Sequence, residues 1–268
     1  MTQPCIFVTG IWKSGNHLAY AALNELGIAG PFNGLSGHLL FGRHAWAKRL
    51  LRAPRGAGDA VQVGLETDAR VSARYVARSV RRLSGRILGG HAAFSPALDA
   101  VLRDTGAVRV CIRRDPRDIL VSFADWIGSR PDFYLHPAFV HLSRNDRIAR
   151  LLDGTDDAAP PINAFTTVLD RAAGWLDASG VLQIRFEDLV GQSGGGDRAA
   201  QRAALAALHA HVGAPRPLAA IDADRIYGGT LTFNKGRSQR WREIDDAALL
   251  ARIETRLAPH LDRWGYAP

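Results

Sequence analysis

Short apolar runs alternate with amphipathic stretches along this chain. Cys5 to Thr9, Arg86 to Gly89, Val108 to Ile112 and Val181 to Phe186 are brief, mostly apolar and bounded by polar or turn-forming positions. Runs of that length read as strands buried on both faces, the kind that fill parallel sheets. Between them, apolar positions recur at helical spacing and predict helices over Asn16 to Leu26, Val71 to Leu83, Pro96 to Asp104, Asp118 to Ile127, Asn163 to Ala178, Arg198 to Val212 and Ala247 to Leu257. Gly27 after the first helix, and Gly213 with Pro215 after the sixth, are stop signals. The alternation predicts an α/β fold, with one central, mostly parallel sheet flanked by helices in a single domain. Gly30 to Asp68 and Arg130 to Pro161 carry no clear period, and Ser193 to Gly196 reads as a flexible linker. Irregular stretches at the rim of such a sheet shape ligand pockets, which makes His44, Trp46, Phe133, Tyr134 and His136 candidates for that wall.

Composition narrows the class without changing this picture. With 268 residues, 47% hydrophobic and 22% charged, the chain has the make-up of a globular protein with a full core. The formal charge of +8 has two readings, an anionic ligand or a solvated arginine-rich face. The arginines are scattered rather than blocked, and no aromatic-interleaved basic motif marks a nucleic-acid module, so nucleic acid is not an expected partner. Cys5 and Cys111 fall inside predicted buried strands and form no disulfide framework. No stretch reaches the roughly 18 apolar residues of a transmembrane segment, and the first ten residues read as a strand rather than a signal peptide. A cytoplasmic location is the expectation.

The chemistry begins where the first strand breaks. After Gly10 the chain runs Ile11-Trp12-Lys13-Ser14-Gly15-Asn16-His17 and then turns helical. Unpaired N–H groups at a helix start, the positive end of its dipole and the Lys13 ammonium would converge on one anion. A Walker A loop places its Lys and Ser or Thr after the second glycine, whereas here Lys13-Ser14 precedes Gly15. The pattern is that of a nucleotide site, but not of an ATPase.

Two further basic segments join it. Val108 to Ile112 leads into Arg113-Arg114-Asp115-Pro116-Arg117-Asp118, with Asp115 as N-cap, Pro116 at the first helical position and Asp118 where a capping-box acid stands. Arg114 would then sit at the sheet's carboxyl edge, with Ser122 two turns into the helix, so that guanidinium and hydroxyl hold one phosphate. Surface arginines on a capped helix are the plainer reading of the same residues. Leu231 to Arg242 has too many cations for a core and reads as a lid over an anion, or as a solvated basic loop anchored by Trp241. His91 follows a strand and would project into the same crevice, which lifts it above the other eight histidines. Only His209 and His211 approach metal-ligand spacing, and they point differently on a helix.

Together these segments resemble the sulfotransferases that use 3′-phosphoadenosine 5′-phosphosulfate, PAPS. Trp12 to His17 is similar to the family's 5′-phosphosulfate loop, and Arg114 to Asp118 with Ser122 to its 3′-phosphate motif. Phe233-Asn234-Lys235-Gly236 with Trp241 is similar to its Arg-Lys-Gly segment, and Arg185 to Leu189 to its Tyr-Glu-Asp-Leu element. The resemblance implies a fold related to nucleotide kinases, and a sulfuryl group passing in line from PAPS to an acceptor hydroxyl on a small molecule or glycan, with no metal required. It implies Lys13 and His91 as catalytic residues, His91 being the base. It implies a nucleotide site of Lys13, Ser14, Gly15, Asn16, His17, Arg114, Ser122, Phe186, Lys235, Gly236 and Arg237. Four departures stand out: Gly89 replaces the lysine of Lys-x-His, Asn16 and His17 a Thr-Thr pair, Asn234 an arginine and Phe186 a tyrosine. Arg43 and Arg237 are the candidates to restore the charge missing at Gly89. A P-loop kinase and a catalytically silent anion-binding protein are the rival functions.

Overall fold

The computed structural model describes residues 3–41, 45–158, 160–227 and 238–267. Its centre is a five-stranded sheet built of β1 (Ile6–Thr9), β2 (Ala29–Ser36), β5 (Arg86–His91), β6 (Val108–Arg113) and β7 (Val181–Arg185), in the order β2-β5-β1-β6-β7 with every neighbouring pair parallel. β3 (Ala60–Gln62) and β4 (Arg70–Ser72) form a separate antiparallel pair. The helices are α1 (Asn16–Glu25), α2 (Ala45–Arg52), α3 (Ala73–Arg82), α4 (Pro96–Asp104), α5 (Pro116–Gly128), α6 (Arg144–Asp153), α7 (Phe165–Asp177), α8 (Phe186–Leu189), α9 (Arg198–Val212) and α10 (Ala247–Trp264).

The period of two along the strands sorts the core. Ile6, Val8, Ile87, Val110, Ile112 and Ile184 face one side and pack with Leu23 and Leu26 near α1, Leu189 of α8 and Leu205 and Leu208 of α9. Phe7, Leu88, Cys111 and Leu35 face the other, against Val76 and Val80 of α3, Leu98 and Leu102 of α4 and Trp175 of α7. A third cluster joins α5, α6, α7 and α10 around Phe139, Trp241 and Trp264. β1, with partners on both edges, is buried along its whole length, which is why its sequence is a continuous apolar run.

The α/β architecture matches the expectation, and α4 and α9 have the predicted bounds. The helix foreseen over Asp118 to Ile127 starts two residues earlier, at Pro116, because Asp115 caps it by accepting from the Arg117 N–H. Gly30 to Asp68 is less irregular than expected. It holds most of edge strand β2 along with α2 and β3, and Arg130 to Pro161 contains α6. β2 escapes the pattern because Gly30, Pro31 and Gly34 interrupt its apolar positions and two register shifts break its ladder. Gly90 of β5 accommodates it, since a Cβ there would stand 1.9 Å from the Leu35 carbonyl oxygen. Cys5 and Cys111 are buried free thiols, pushed up to about 12 by desolvation.

Candidate active site

Parallel strands deliver their following loops to one edge, and the winding reverses beside β1: the chain goes from β1 to β2 and β5 on one side, then crosses from β5 to β6 and β7 on the other. The crevice outside the carboxyl ends at such a point is where open α/β sheets bind ligands. Here the loop after β1 carries Lys13, the end of β5 carries His91, and the residue after β6 is Arg114.

The loop after β1 is tight. Ser14 is buried, and both its N–H and its hydroxyl donate to the Ile11 carbonyl, at 3.0 and 2.7 Å. Lys13 is driven to φ 68, a left-handed conformation that costs a non-glycine residue roughly 1 kcal/mol or more and is concentrated at functional sites. Gly15 follows at φ 110, where a Cβ would meet the Phe186 ring at 2.7 Å. Gly10 is also dictated by packing, because a Cβ there would lie 2.4 Å from the Ser14 hydroxyl. Asn16, buried at the start of α1, donates to the Gly90 carbonyl at 2.7 Å and so ties α1 to β5.

His91 is held on three sides. Its backbone N–H donates to the Ser36 hydroxyl at 2.8 Å, and its ring stacks on Trp12 with centroids 3.9 Å apart. Its Nδ1 lies 2.8 Å from the Gly10 carbonyl oxygen and 3.4 Å from the Asn16 amide nitrogen. The carbonyl can only accept and is the nearer partner, so Nδ1 carries the proton and Nε2 is the basic nitrogen. Trp12 in turn packs in an aromatic group with Phe123, Trp126 and Phe133.

Arg114 is almost wholly buried, at 4% exposure. Its Nη1 donates to the Lys13 carbonyl at 3.1 Å, its Nη2 lies 3.5 Å from Asp118, and its guanidinium covers the Phe186 ring at 4.3 Å. Asp118 does not act as the capping-box acid expected of it. Its two oxygens accept from the backbone N–H groups of Gln239 and Trp241, at 2.8 and 3.1 Å, which fastens the segment after residue 237 to α5. Burial raises the Asp118 carboxyl against the pull of Arg114 and those two amides.

That segment brings in a residue outside the predicted set. Arg240 is 2% exposed, and its Nη2 pairs with Asp125 at 2.5 Å. Its Nε and Nη1 are buried with no hydrogen-bond partner among the described residues. Neighbouring Trp241 is sandwiched between the Arg117 and Arg242 guanidinium groups, each 4.3 Å from its ring. The basic composition of Leu231 to Arg242 was the only trace of Arg240 in the sequence, because its partner Asp125 is an unremarkable helix position. The reading of that stretch as a solvated loop anchored by Trp241 fails at Arg240, which is buried, while Trp241 is buried as an anchor would be.

These positive groups act on one another. Burial lowers the Lys13 ammonium to about 8, and Arg114, Arg240 and Arg130 add repulsion. Burial, with Lys13 contributing, also lowers His17, which is half-buried one residue along α1. A buried guanidinium with unmet donors, next to an ammonium that its neighbours destabilise, is an arrangement that a polyanion would relieve.

Of the predicted site, Lys13, Ser14, Gly15, Asn16, His91, Arg114 and Phe186 are linked by direct contacts, and His17 adjoins them. Ser122 is buried on α5, one helical turn beyond Asp118, with no contact to Arg114 among the hydrogen bonds described. Lys235, Gly236, Arg237, Arg43 and His44 lie outside the described residues. Phe133 and Tyr134 do line the aromatic group beside Trp12. Trp46 points to solvent instead, and the His136 ring is engaged with the Ile127 carbonyl. Among the described residues no group of three or more His, Cys, Asp or Glu is placed to hold a metal ion, and no helix is long and apolar enough to cross a membrane.

The arrangement of sheet, helices and crossings is the sulfotransferase fold. The chain superposes on mouse sulfotransferase SULT7A1 complexed with PAP at a TM-score of 0.57 and 13% identity, over 97% of this chain and 85% of that one. It also matches retinol dehydratase in a complex with retinol and PAP, at a TM-score of 0.50 and 12% identity, over 97% and 82% of the two chains. No protein-family model and no curated protein matches the sequence.

Proposed function

We propose that this chain is a PAPS-dependent sulfotransferase acting on an acceptor hydroxyl. The observation that carries the reading is the meeting of a left-handed, desolvated Lys13 with a stacked, tautomer-fixed His91 at one carboxyl edge, in a fold whose neighbours are complexed with PAP. PAPS, when bound, supplies the sulfuryl group and a leaving phosphate.

The residues divide the labour. Lys13, with the N–H groups at the start of α1, would neutralise charge that grows on the leaving phosphate oxygen. Arg114 and Arg240 would bind the other phosphate of the nucleotide, with Ser122 and, from outside the described residues, Lys235, Gly236 and Arg237. Phe186, lying beneath Arg114, would present the rest of its ring to the adenine of the nucleotide. His91 would accept the acceptor proton at Nε2 as the oxygen attacks, while its Nδ1–H remains bonded to Gly10. Trp12 holds the imidazole plane, which fixes the line of approach. Arg240 would offset the positive charge missing at Gly89, a role the sequence had suggested for Arg43 or Arg237.

The acceptor side is the aromatic group of Trp12, Phe133 and Tyr134, with the buried Glu66 accepting from the Tyr134 hydroxyl at 2.8 Å. It would suit a small molecule or a glycan that exposes one hydroxyl to His91. A direct test incubates the full chain with PAPS labelled in sulfur and a panel of hydroxylated acceptors. Label should move to an acceptor, and His91→Ala should slow transfer by about 10²- to 10⁴-fold while nucleotide binding persists. An unchanged rate in His91→Ala would remove the base from the account.

A further inference from the structure

Helix α2 is built inside out. In a helix packed on a protein core, apolar side chains face inward and charged ones outward. Here Arg49 donates from Nε to the Leu40 carbonyl at 2.7 Å and its guanidinium lies 5.3 Å from the Phe41 ring, while Arg52 lies 5.1 Å from the Tyr75 ring. The arginines tether the helix. Trp46, Leu50 and Leu51 are 73%, 75% and 75% exposed, and α2 contains no buried residue. Trp46 and Leu50 are four residues apart and so share a face, with Leu51 beside them.

The ground next to this apolar ridge is basic. A groove of about 680 Å³ runs between α2 and α3, with Leu50 and Leu51 on one side and Arg74, Arg78 and Arg81 on the other. Asp104 is the carboxylate among its lining residues. None of the three arginines forms an ion pair with a carboxylate among the described residues, and nearby Asp59 is engaged by the backbone N–H groups of Arg55 and Arg74. Arg74 feels the attraction of Asp59, whereas Arg78 and Arg81 have no ion-pair partner among the described residues.

We infer that α2 and the arginine face of α3 form a docking surface for an anionic lipid bilayer. A tryptophan and two leucines on one side of a short helix, with lysine and arginine around them, match what the headgroup boundary accepts: apolar side chains dip below it and guanidinium groups stay at the phosphates. A second copy of the chain fits less well, because a twofold pairing would bring two copies of this arginine row into one interface. Nucleic acid would satisfy the arginines but offers the leucines nothing to bury against. The inference is independent of the sulfuryl-transfer reading, since no residue of the crevice takes part in it.

The test is co-sedimentation of the full chain with vesicles of phosphatidylcholine alone and of phosphatidylcholine with phosphatidylserine, at low and high salt. Binding should require the serine lipid and fall as salt rises. Trp46→Ala with Leu50→Ser and Leu51→Ser should lower partitioning about tenfold or more. Arg74→Gln with Arg78→Gln and Arg81→Gln should do so to a similar degree, about tenfold, without touching the apolar ridge. The second variant keeps the question open to refutation if the first fails to fold, and binding of adenosine 3′,5′-bisphosphate, the product of PAPS, in each variant reports on the crevice separately. Equal association with both vesicle types, or serine-lipid binding undiminished by either variant, would overturn the inference. So would a concentration-dependent dimer, or binding to a short RNA duplex, that the variants abolish while the vesicles sediment without the chain.

Discussion

The chain holds two cationic regions, and they differ in what surrounds each charge. At the carboxyl edge, Arg114 and Arg240 are buried and partly bonded to Asp118 and Asp125, and Lys13 is lowered to about 8 by burial and by those neighbours. Around α2, Arg74, Arg78 and Arg81 stand beside exposed leucines and form no close ion pair with a carboxylate among the described residues. A buried cation cluster is costly unless an anion completes it, so it signals a defined small ligand. An exposed one costs little and acts through long-range attraction, so it signals a surface. The +8 charge is therefore divided between a buried cluster and an exposed one.

The contrast can be broken most severely at Asp118. Removing its carboxylate in Asp118→Ala leaves Arg114 buried without its acid and the Gln239 and Trp241 amides without acceptors. Breaking a buried pair in this way costs about 3–5 kcal/mol, so urea unfolding should show a loss of that size. A loss under about 1 kcal/mol would mean that the 239–241 segment is fastened elsewhere. By comparison, Arg78→Gln with Arg81→Gln should leave stability nearly unchanged.

Lys13 sharpens the contrast through pH. Its ammonium is the anion-binding form, so affinity for adenosine 3′,5′-bisphosphate should be full below about 8 and decline above it by about tenfold per unit. Lys13→Arg should bind more weakly but lose that inflection, because arginine stays charged. The free chain behaves oppositely. The folded value is depressed below 10.5, so the unfolded state holds more protons between about 8 and 10.5, and this group's contribution to stability rises with pH across that window.

Trp12 should give a smaller effect. Trp12→Leu keeps an apolar side chain but removes the ring stacked on His91, so turnover should fall about tenfold with bisphosphate affinity retained. If turnover and affinity fall together, the tryptophan serves the loop rather than the base. The smallest effect belongs to the outer region: Arg78→Gln with Arg81→Gln should leave transfer to a water-soluble acceptor within about twofold of the parent chain.

Much of the crevice could be read from local sequence. Gly10, Lys13 and Gly15 announce a strand, an anion loop and a helix start, and Asp115-Pro116 announces the cap that places Arg114. What escaped was long-range. Asp118 looks like a helix cap because its true partners, Gln239 and Trp241, are more than 120 residues away. Arg240 shows its role only through Asp125, and Trp12 only through His91, a contact spanning β1 and β5. β2 was missed because edge strands tolerate the glycines and proline that hide an apolar run. α2 escaped as well, because its eight residues stand within a stretch that has no overall period, and a helical period would in any case give the stripe and not the direction it faces.

The most direct test of the central claim is calorimetric titration of the intact chain with adenosine 3′,5′-bisphosphate in the absence of magnesium, beside ATP with magnesium. One saturable site for the bisphosphate, weakened at least about tenfold in Lys13→Ala and again in Arg114→Gln, is the predicted result. Preference for ATP with magnesium, or bisphosphate binding untouched by both substitutions, would contradict it.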